Sequence, residues 1–128
     1  MRTFFCDGGC FGNGTGDVYA YGSYGELDGG IRHIQFGFAE ANTSNQAEYA
    51  TLIALLRELQ KLDEAVEIRM DSQLVVNQVA PLGKAWHCKN KRLAKMRDEA
   101  RELINNRRKF GTHLKWVRRN EIEAVLGH

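Results

Sequence analysis

Proline is almost absent: one residue, Pro81, stands in a chain of 128. No proline-rich linker, repeat or low-complexity tract divides the sequence, and its length suits one domain over residues 1–128 with a core of its own. Cysteine is scarce and odd in number. Cys6, Cys10 and Cys88 make no disulfide framework, which points to a reducing compartment, by default the cytoplasm. No run of about 18 apolar residues is present, so a membrane-spanning helix is not expected. The opening MRTFFCDGG has no secretory apolar segment. Histidine is thin as well. His33, His87 and His128 lack any surrounding motif and His113 lies in a strand pattern, so none is given a catalytic role.

Charge, in contrast, is plentiful and uneven. Residues 1–83 carry 5 Lys/Arg against 11 Asp/Glu, and residues 84–119 carry 13 against 3; the last nine add two acids and bring the total to +2. A basic block beside an acidic remainder suits a protein that holds both phosphates and metal cations, although a solvated basic helix would look the same. Hydrophobic residues at 43% place the chain among globular proteins.

The pattern of apolar residues supplies the elements. RTFFC at 2–6 reads as a strand ending at Asp7, and GGCFGNGTG at 8–16 as a glycine-rich loop. VYAYGSYG at 18–25 and IRHIQFGF at 31–38 read as a hairpin turning at Asp28-Gly29-Gly30. The period then changes. Ser44 is a plausible N-cap, and Leu52, Leu55, Leu56, Leu59 and Leu62 form one apolar stripe of a helix. AVEIRM at 65–70 is a strand ending at Asp71, followed by a short helix to about Val79 that Pro81-Leu82-Gly83 breaks. A basic helix over 89–106 turns Leu93, Met96, Ala100 and Leu103 inward, THLKWVR at 112–118 is a last strand, and 120–126 hold a final turn or two of helix. The order β-β-β-α-β-α-α-β-α implies an α/β fold with a mixed sheet and helices on its faces.

Three acids sit where ligands gather in such folds. Asp7 and Asp71 each follow a strand, and if those strands are parallel neighbours their C-terminal ends lie together. Glu48, in the first turn of the leucine-rich helix and four residues before Leu52, faces inward, where a carboxylate requires a partner. Each acid alone is ordinarily a turn residue, a cap or a dipole partner. As a set they resemble the two-metal phosphodiester-cleaving arrangement, in which ions about 3.5–4 Å apart flank the scissile phosphate.

The residues around them resemble a known family. Asp7-Gly-Gly-Cys-Phe-Gly-Asn13, Thr43-Ser-Asn-Gln-Ala-Glu48 and Met70-Asp71-Ser72-Gln73 are similar to the three successive motifs of type 1 ribonucleases H, in family order and over essentially the whole chain. The resemblance implies a ribonuclease H-like five-stranded mixed sheet flanked by helices. It also implies endonucleolytic hydrolysis of the RNA strand of RNA/DNA hybrids, two Mg2+ ions (Mn2+ as a substitute), and products with 5′-phosphate and 3′-hydroxyl ends. One ion would be held by Asp7, Glu48 and Asp71, the other by Asp7 and a fourth ligand. At that fourth ligand the chain departs from the family. The usual loop, histidine and aspartate are missing after the last strand, and Arg119-Asn120-Glu-Ile-Glu-Ala124 follows at once. Asn120 is the preferred occupant, since its carbonyl oxygen suits a hard cation and Ile122, Val125 and Leu126 could still pack. A register with Ala124 there, or a contribution from Glu121 or Glu123, stays open.

For substrate, the resemblance points to Cys10, Asn13, Asn45 and Gln73 as minor-groove contacts, where amides can read 2′-hydroxyls and base edges, and to Thr43 as a phosphate contact. The basic protrusion of larger family members looks absent. Lys84, Trp86, Lys89 and Lys91 are the remaining candidates for a reduced handle on the backbone. A monomer in the cytoplasm is expected. Two other readings share these features: a hybrid-binding module with weakened catalysis, since the fourth carboxylate is missing, and a DNA nuclease or integrase-like relative of the same fold.

Overall fold

The structure, a computed structural model, describes residues 1–11, 19–29, 34–38, 43–79 and 88–127. The strands are β1 Arg2–Phe11, β2 Tyr19–Glu26, β3 Ile34–Phe38, β4 Val66–Met70 and β5 Thr112–Trp116. The helices are α1 Ser44–Leu59, α2 Gln73–Val79, α3 Lys91–Asn106 and α4 Arg119–Leu126. The sheet order is β3-β2-β1-β4-β5, with β1, β2 and β3 antiparallel and β1, β4 and β5 parallel. The fold is α/β with a mixed sheet, as expected from the element order.

The two faces of the sheet are covered unequally, and the period of two along each strand sorts the side chains between them. Phe4 and Cys6 of β1 and Val66, Ile68 and Met70 of β4 join the main core, with Tyr49, Leu52, Leu55, Leu56 and Leu59 of α1 and Leu93 and Ala100 of α3. Met96, Leu103 and Leu62 pack against its border. Phe5 points the other way and forms a second cluster with Val117, Ile122 and Leu126, against which Val125 packs. Thus α4 covers the opposite face, and its apolar residues pack as the sequence led one to expect. Arg107, just beyond α3, is buried in the turn to β5; its guanidinium donates to the carbonyls of Leu62, Glu64 and Gly111 and to Thr112 Oγ1.

Several boundaries differ from the sequence reading. The segment from Gly8 to Phe11, read as loop, continues β1 and pairs with β2 from Gly8↔Gly22 to Phe11↔Tyr19. Glycines depress strand propensity locally, but the ladder to β2 overrides this. The cap of α1 is Thr43, not Ser44: its side-chain oxygen accepts from Gln46 N–H at 3.2 Å. α3 begins at Lys91, capped by Asn90 Oδ1, which accepts from the N–H groups of Arg92 and Leu93. β5 stops at Trp116, and Val117 and Arg118 lead into α4. The break at Pro81-Leu82-Gly83 lies outside the described residues.

Candidate active site

The site forms where β1 outlasts its partner. The parallel pairing of β1 with β4 ends at Phe5↔Arg69, while β1 runs on beside β2 through Asp7. Asp7 therefore lies inside β1 rather than at its end, correcting the sequence reading, but it still stands at the C-terminal end of β4. Asp71 follows Met70, the last residue of β4. By the period of two, Asp7 continues the face of Phe5 and Asp71 that of Arg69, whose guanidinium lies over the Phe5 ring. Both carboxylates thus belong to the side of α4. Trp116 supports this end of β4, its indole Nε1 donating to the Asp71 carbonyl at 3.1 Å.

Glu48 arrives from the other face. α1 crosses β1 at Gly8, and a Cβ on Gly8 would lie 2.8 Å from Glu48 N and closer still to the Ala47 carbonyl. Glycine here permits the contact of helix and strand, which was invisible in a motif that looked like a loop. The approach delivers Glu48, buried, to the sheet end, where its Oε1 accepts from Gly8 N–H at 3.4 Å. Gly8→Ala should therefore push α1 away. We expect a stability loss of about 1–3 kcal/mol from overpacking and activity lower by about a hundredfold from displacement of Glu48. Denaturant unfolding together with a cleavage assay would measure both, and a variant with unchanged activity would contradict this packing account.

Asp7, Glu48 and Asp71 each present one oxygen such that all three lie within 4.8 Å of one another. Burial raises the Asp7 carboxyl, the charge of Asp71 raises it further, and Arg119 opposes both. Glu48 is pushed up to about 9, by burial first and then by the charges of Asp7 and Asp71. The Glu48 carboxyl also shares a hydrogen bond with that of Asp7. Buried carboxylates crowded in this way are unfavourable unless a cation joins them. Three hard oxygen donors brought this close together fit a divalent metal of the Mg2+ class.

Sequence reasoning missed one member of the site. Arg119, in the first turn of α4, reaches across to the acids: Nη1 is 2.9 Å from Asp7 Oδ2 and 3.1 Å from Asp71 Oδ2. Its Nε is 3.5 Å from Glu123 one turn along. Nothing local distinguishes Arg119 among the 13 basic residues of 84–119; only the shared face of Asp7 and Asp71 could have singled it out. Asn120, the preferred fourth ligand, is exposed on the same turn. Of the two nearby acids, Glu121 accepts from Arg118 N–H at the start of α4, and Glu123 pairs with Arg119. Ala124 is exposed.

The candidate substrate residues divide by position. Thr43 and Asn45 are exposed at the start of α1, a turn before Glu48, and Gln73 is exposed at the start of α2, two residues after Asp71. Cys10 is in β1 rather than in a loop, half-buried against Ala20 and Ala47. Lys89 and Lys91 are exposed beside and at the start of α3. Asn13, Lys84 and Trp86 lie outside the described residues.

A family model described as RNase H matches residues 1–128. The chain belongs to the RNase H family. It is accordingly a ribonuclease H-type hydrolase, with the type 1 resemblance read from its motifs upheld. Ribonuclease H from Ruthia magnifica subsp. Calyptogena magnifica is 29% identical over 122 residues, which cover 89% of this chain and 80% of that protein. The crystal structure of RNase H1 from the halophilic archaeon Halobacterium salinarum is 31% identical with a TM-score of 0.76, covering 97% of this chain and 90% of that one. LC11-RNase H1, isolated from compost by a metagenomic approach and solved in complex with an RNA/DNA hybrid, is 24% identical. Its TM-score is 0.75 over 98% of this chain and 91% of its own, a likeness of fold. Among the described residues, no helix is long and apolar enough to cross a membrane.

Proposed function

We propose that this ribonuclease H cuts the RNA strand of RNA/DNA hybrids endonucleolytically at Asp7, Glu48 and Asp71, leaving 5′-phosphate and 3′-hydroxyl ends. The observation that carries the reading is the convergence of these three acids from β1, α1 and the end of β4, each offering an oxygen within 4.8 Å of the others. The hybrid in the LC11-RNase H1 structure supports the choice of substrate. When bound, two Mg2+ ions, or Mn2+ in their place, would supply Lewis acidity at the scissile phosphate and ease deprotonation of the attacking water.

The chain's own residues have defined tasks in this reading. Asp7 would hold both ions, Glu48 and Asp71 one of them, and Asn120 the other. Glu48 would give up its proton on loading. Asn45 and Gln73 project from the starts of α1 and α2 and suit 2′-hydroxyls and base edges across the minor groove, with Asn13 and Cys10 joining them on the strength of the first motif. Thr43 at the head of α1 suits a phosphate. Lys89 and Lys91, with Lys84 and Trp86, suit the backbone. The odd count of three cysteines, Cys6, Cys10 and Cys88, favours the cytoplasm, and we take the molecule to act as a monomer. Weakened catalysis with retained hybrid binding is a second reading, favoured by the neutral Asn120 and by the cation already lying on Asp7 and Asp71.

Mass spectrometry of the products from a defined hybrid tests the proposal: RNA fragments with 5′-phosphate and 3′-hydroxyl ends support it. Cyclic-phosphate ends, or intact RNA with the hybrid bound, would reject it. The fourth ligand has its own test. With Asn120 as ligand, Asn120→Asp should keep or raise activity, most visibly at low metal, and Asn120→Ala should lower it by roughly 10–100-fold. Ala124→Asp should then be nearly silent. If Ala124→Asp instead raises activity while both Asn120 variants match the wild type across a metal titration, the register is the other one.

A further inference from the structure

Arg119 lies where a metal would be drawn. Its Nη1 sits between two carboxylate oxygens from different elements, 2.9 Å from Asp7 and 3.1 Å from Asp71, and those acids are two of the three that converge with Glu48. The arginine is itself half-exposed, with a side chain 49% accessible, whereas Asp7 is 1% accessible. Its partner Glu123, one helical turn along and exposed, offers a second seat on the solvent side. A guanidinium is cationic at any working pH, so the bridge it makes is a charged one.

We propose that Arg119 is a counter-cation of this centre that competes with metal for it: it bridges Asp7 and Asp71 and would withdraw toward Glu123 on metal binding. The inference rests on the reading of Asp7, Glu48 and Asp71 as metal ligands. Its logic is that of any equilibrium between two states. Contacts made only in the metal-free state weaken metal binding by their full worth, because loading must break them. The bridge also restrains two like-charged carboxylates that would otherwise repel, keeping the centre assembled between turnovers. Arg119 thus acts through Asp7 and Asp71 as a positioning residue, setting how much metal the enzyme needs.

Calorimetric titration of the hybrid-free protein with Mn2+ alone tests the exchange. Arg119→Gln should bind Mn2+ on the order of tenfold more tightly than the wild type, since a competitor with two charge-assisted bonds has gone. Arg118→Gln removes the same charge one residue away and outside the contact, and should shift affinity little. In its metal-free form Arg119→Gln should melt at a lower temperature. In the wild type, a Mg2+ titration followed by NMR should move the Arg119 side-chain Nε–H resonance in step with metal occupancy. Unchanged or weaker Mn2+ binding in Arg119→Gln, equal tightening in both variants, or an Arg119 resonance indifferent to Mg2+ would overturn the proposal. A wild type that binds no metal at all would instead remove the reading of the three acids on which it rests.

Discussion

Asp7→Asn should abolish hybrid cleavage, with a loss of at least about a thousandfold, beyond the roughly 10–100-fold that follows loss of a metal ligand's outer partner. Asp7 is the acid that every other group of the site meets: Arg119 donates to its Oδ2, Glu48 shares a hydrogen bond with it, and the charge of Asp71 raises it. Asparagine keeps the size and one carbonyl oxygen but removes the charge, so the fold should survive while the centre loses its attraction for cations. Circular dichroism and thermal melting separate these outcomes from unfolding. Activity within tenfold of the wild type at ordinary metal concentration would show that the chemistry lies elsewhere.

Glu48→Gln should have opposite effects on stability and activity. In the metal-free protein the Glu48 carboxyl is pushed up to about 9 from an ordinary value of 4.5, mainly by burial. The folded state therefore keeps a proton that the unfolded chain gives up in that window. The stability this proton contributes is fully present below pH 4.5 and is lost as pH rises toward 9; the raised Asp7 carboxyl acts in the same direction. Glutamine removes the ionisation. At pH 8 the metal-free variant should be more stable than the wild type by about 1–3 kcal/mol, and its decline with pH should be shallower. Cleavage should be lost, because a metal ligand has become a neutral amide. In the wild type, metal binding should release protons and tighten with pH over the same window. Parallel denaturant titrations of both proteins at pH 6 and pH 8 measure the effect. A variant less stable than the wild type at both values would contradict the burial of a strained carboxyl there.

These two expectations concern residues that the sequence exposed, and the reason is physical. Asp7 and Asp71 close apolar β-prone segments, and Glu48 stands four residues before Leu52 on the same stripe, so strand period and helix period brought all three to one end of the sheet. The features that stayed hidden depend on contacts between distant segments. Gly8 and Gly9 look like loop residues because glycine weakens a strand locally. Their place in β1 depends on the ladder to β2, on α1 crossing at Gly8, and on the Tyr21 ring against Gly9, where a Cβ would be 2.5 Å from its hydroxyl oxygen. Ser44 is by type the better cap of the two, and the path of the chain into α1 selects Thr43 instead. Arg119 was one base among many. Its partners lie 112 and 48 residues away in sequence and share the face of α4 only once the sheet is built.

The central question for this enzyme is whether metal held by these acids drives cleavage of RNA paired with DNA. The measurement is a time course on a hybrid labelled separately on each strand, with Mg2+, with excess chelator, and with Mg2+ restored. Internal cuts should appear in the RNA strand alone, with none under chelation and full recovery when Mg2+ returns. Cleavage that persists in chelator, or cuts appearing equally in the DNA strand, would contradict that role for the metal and the acids.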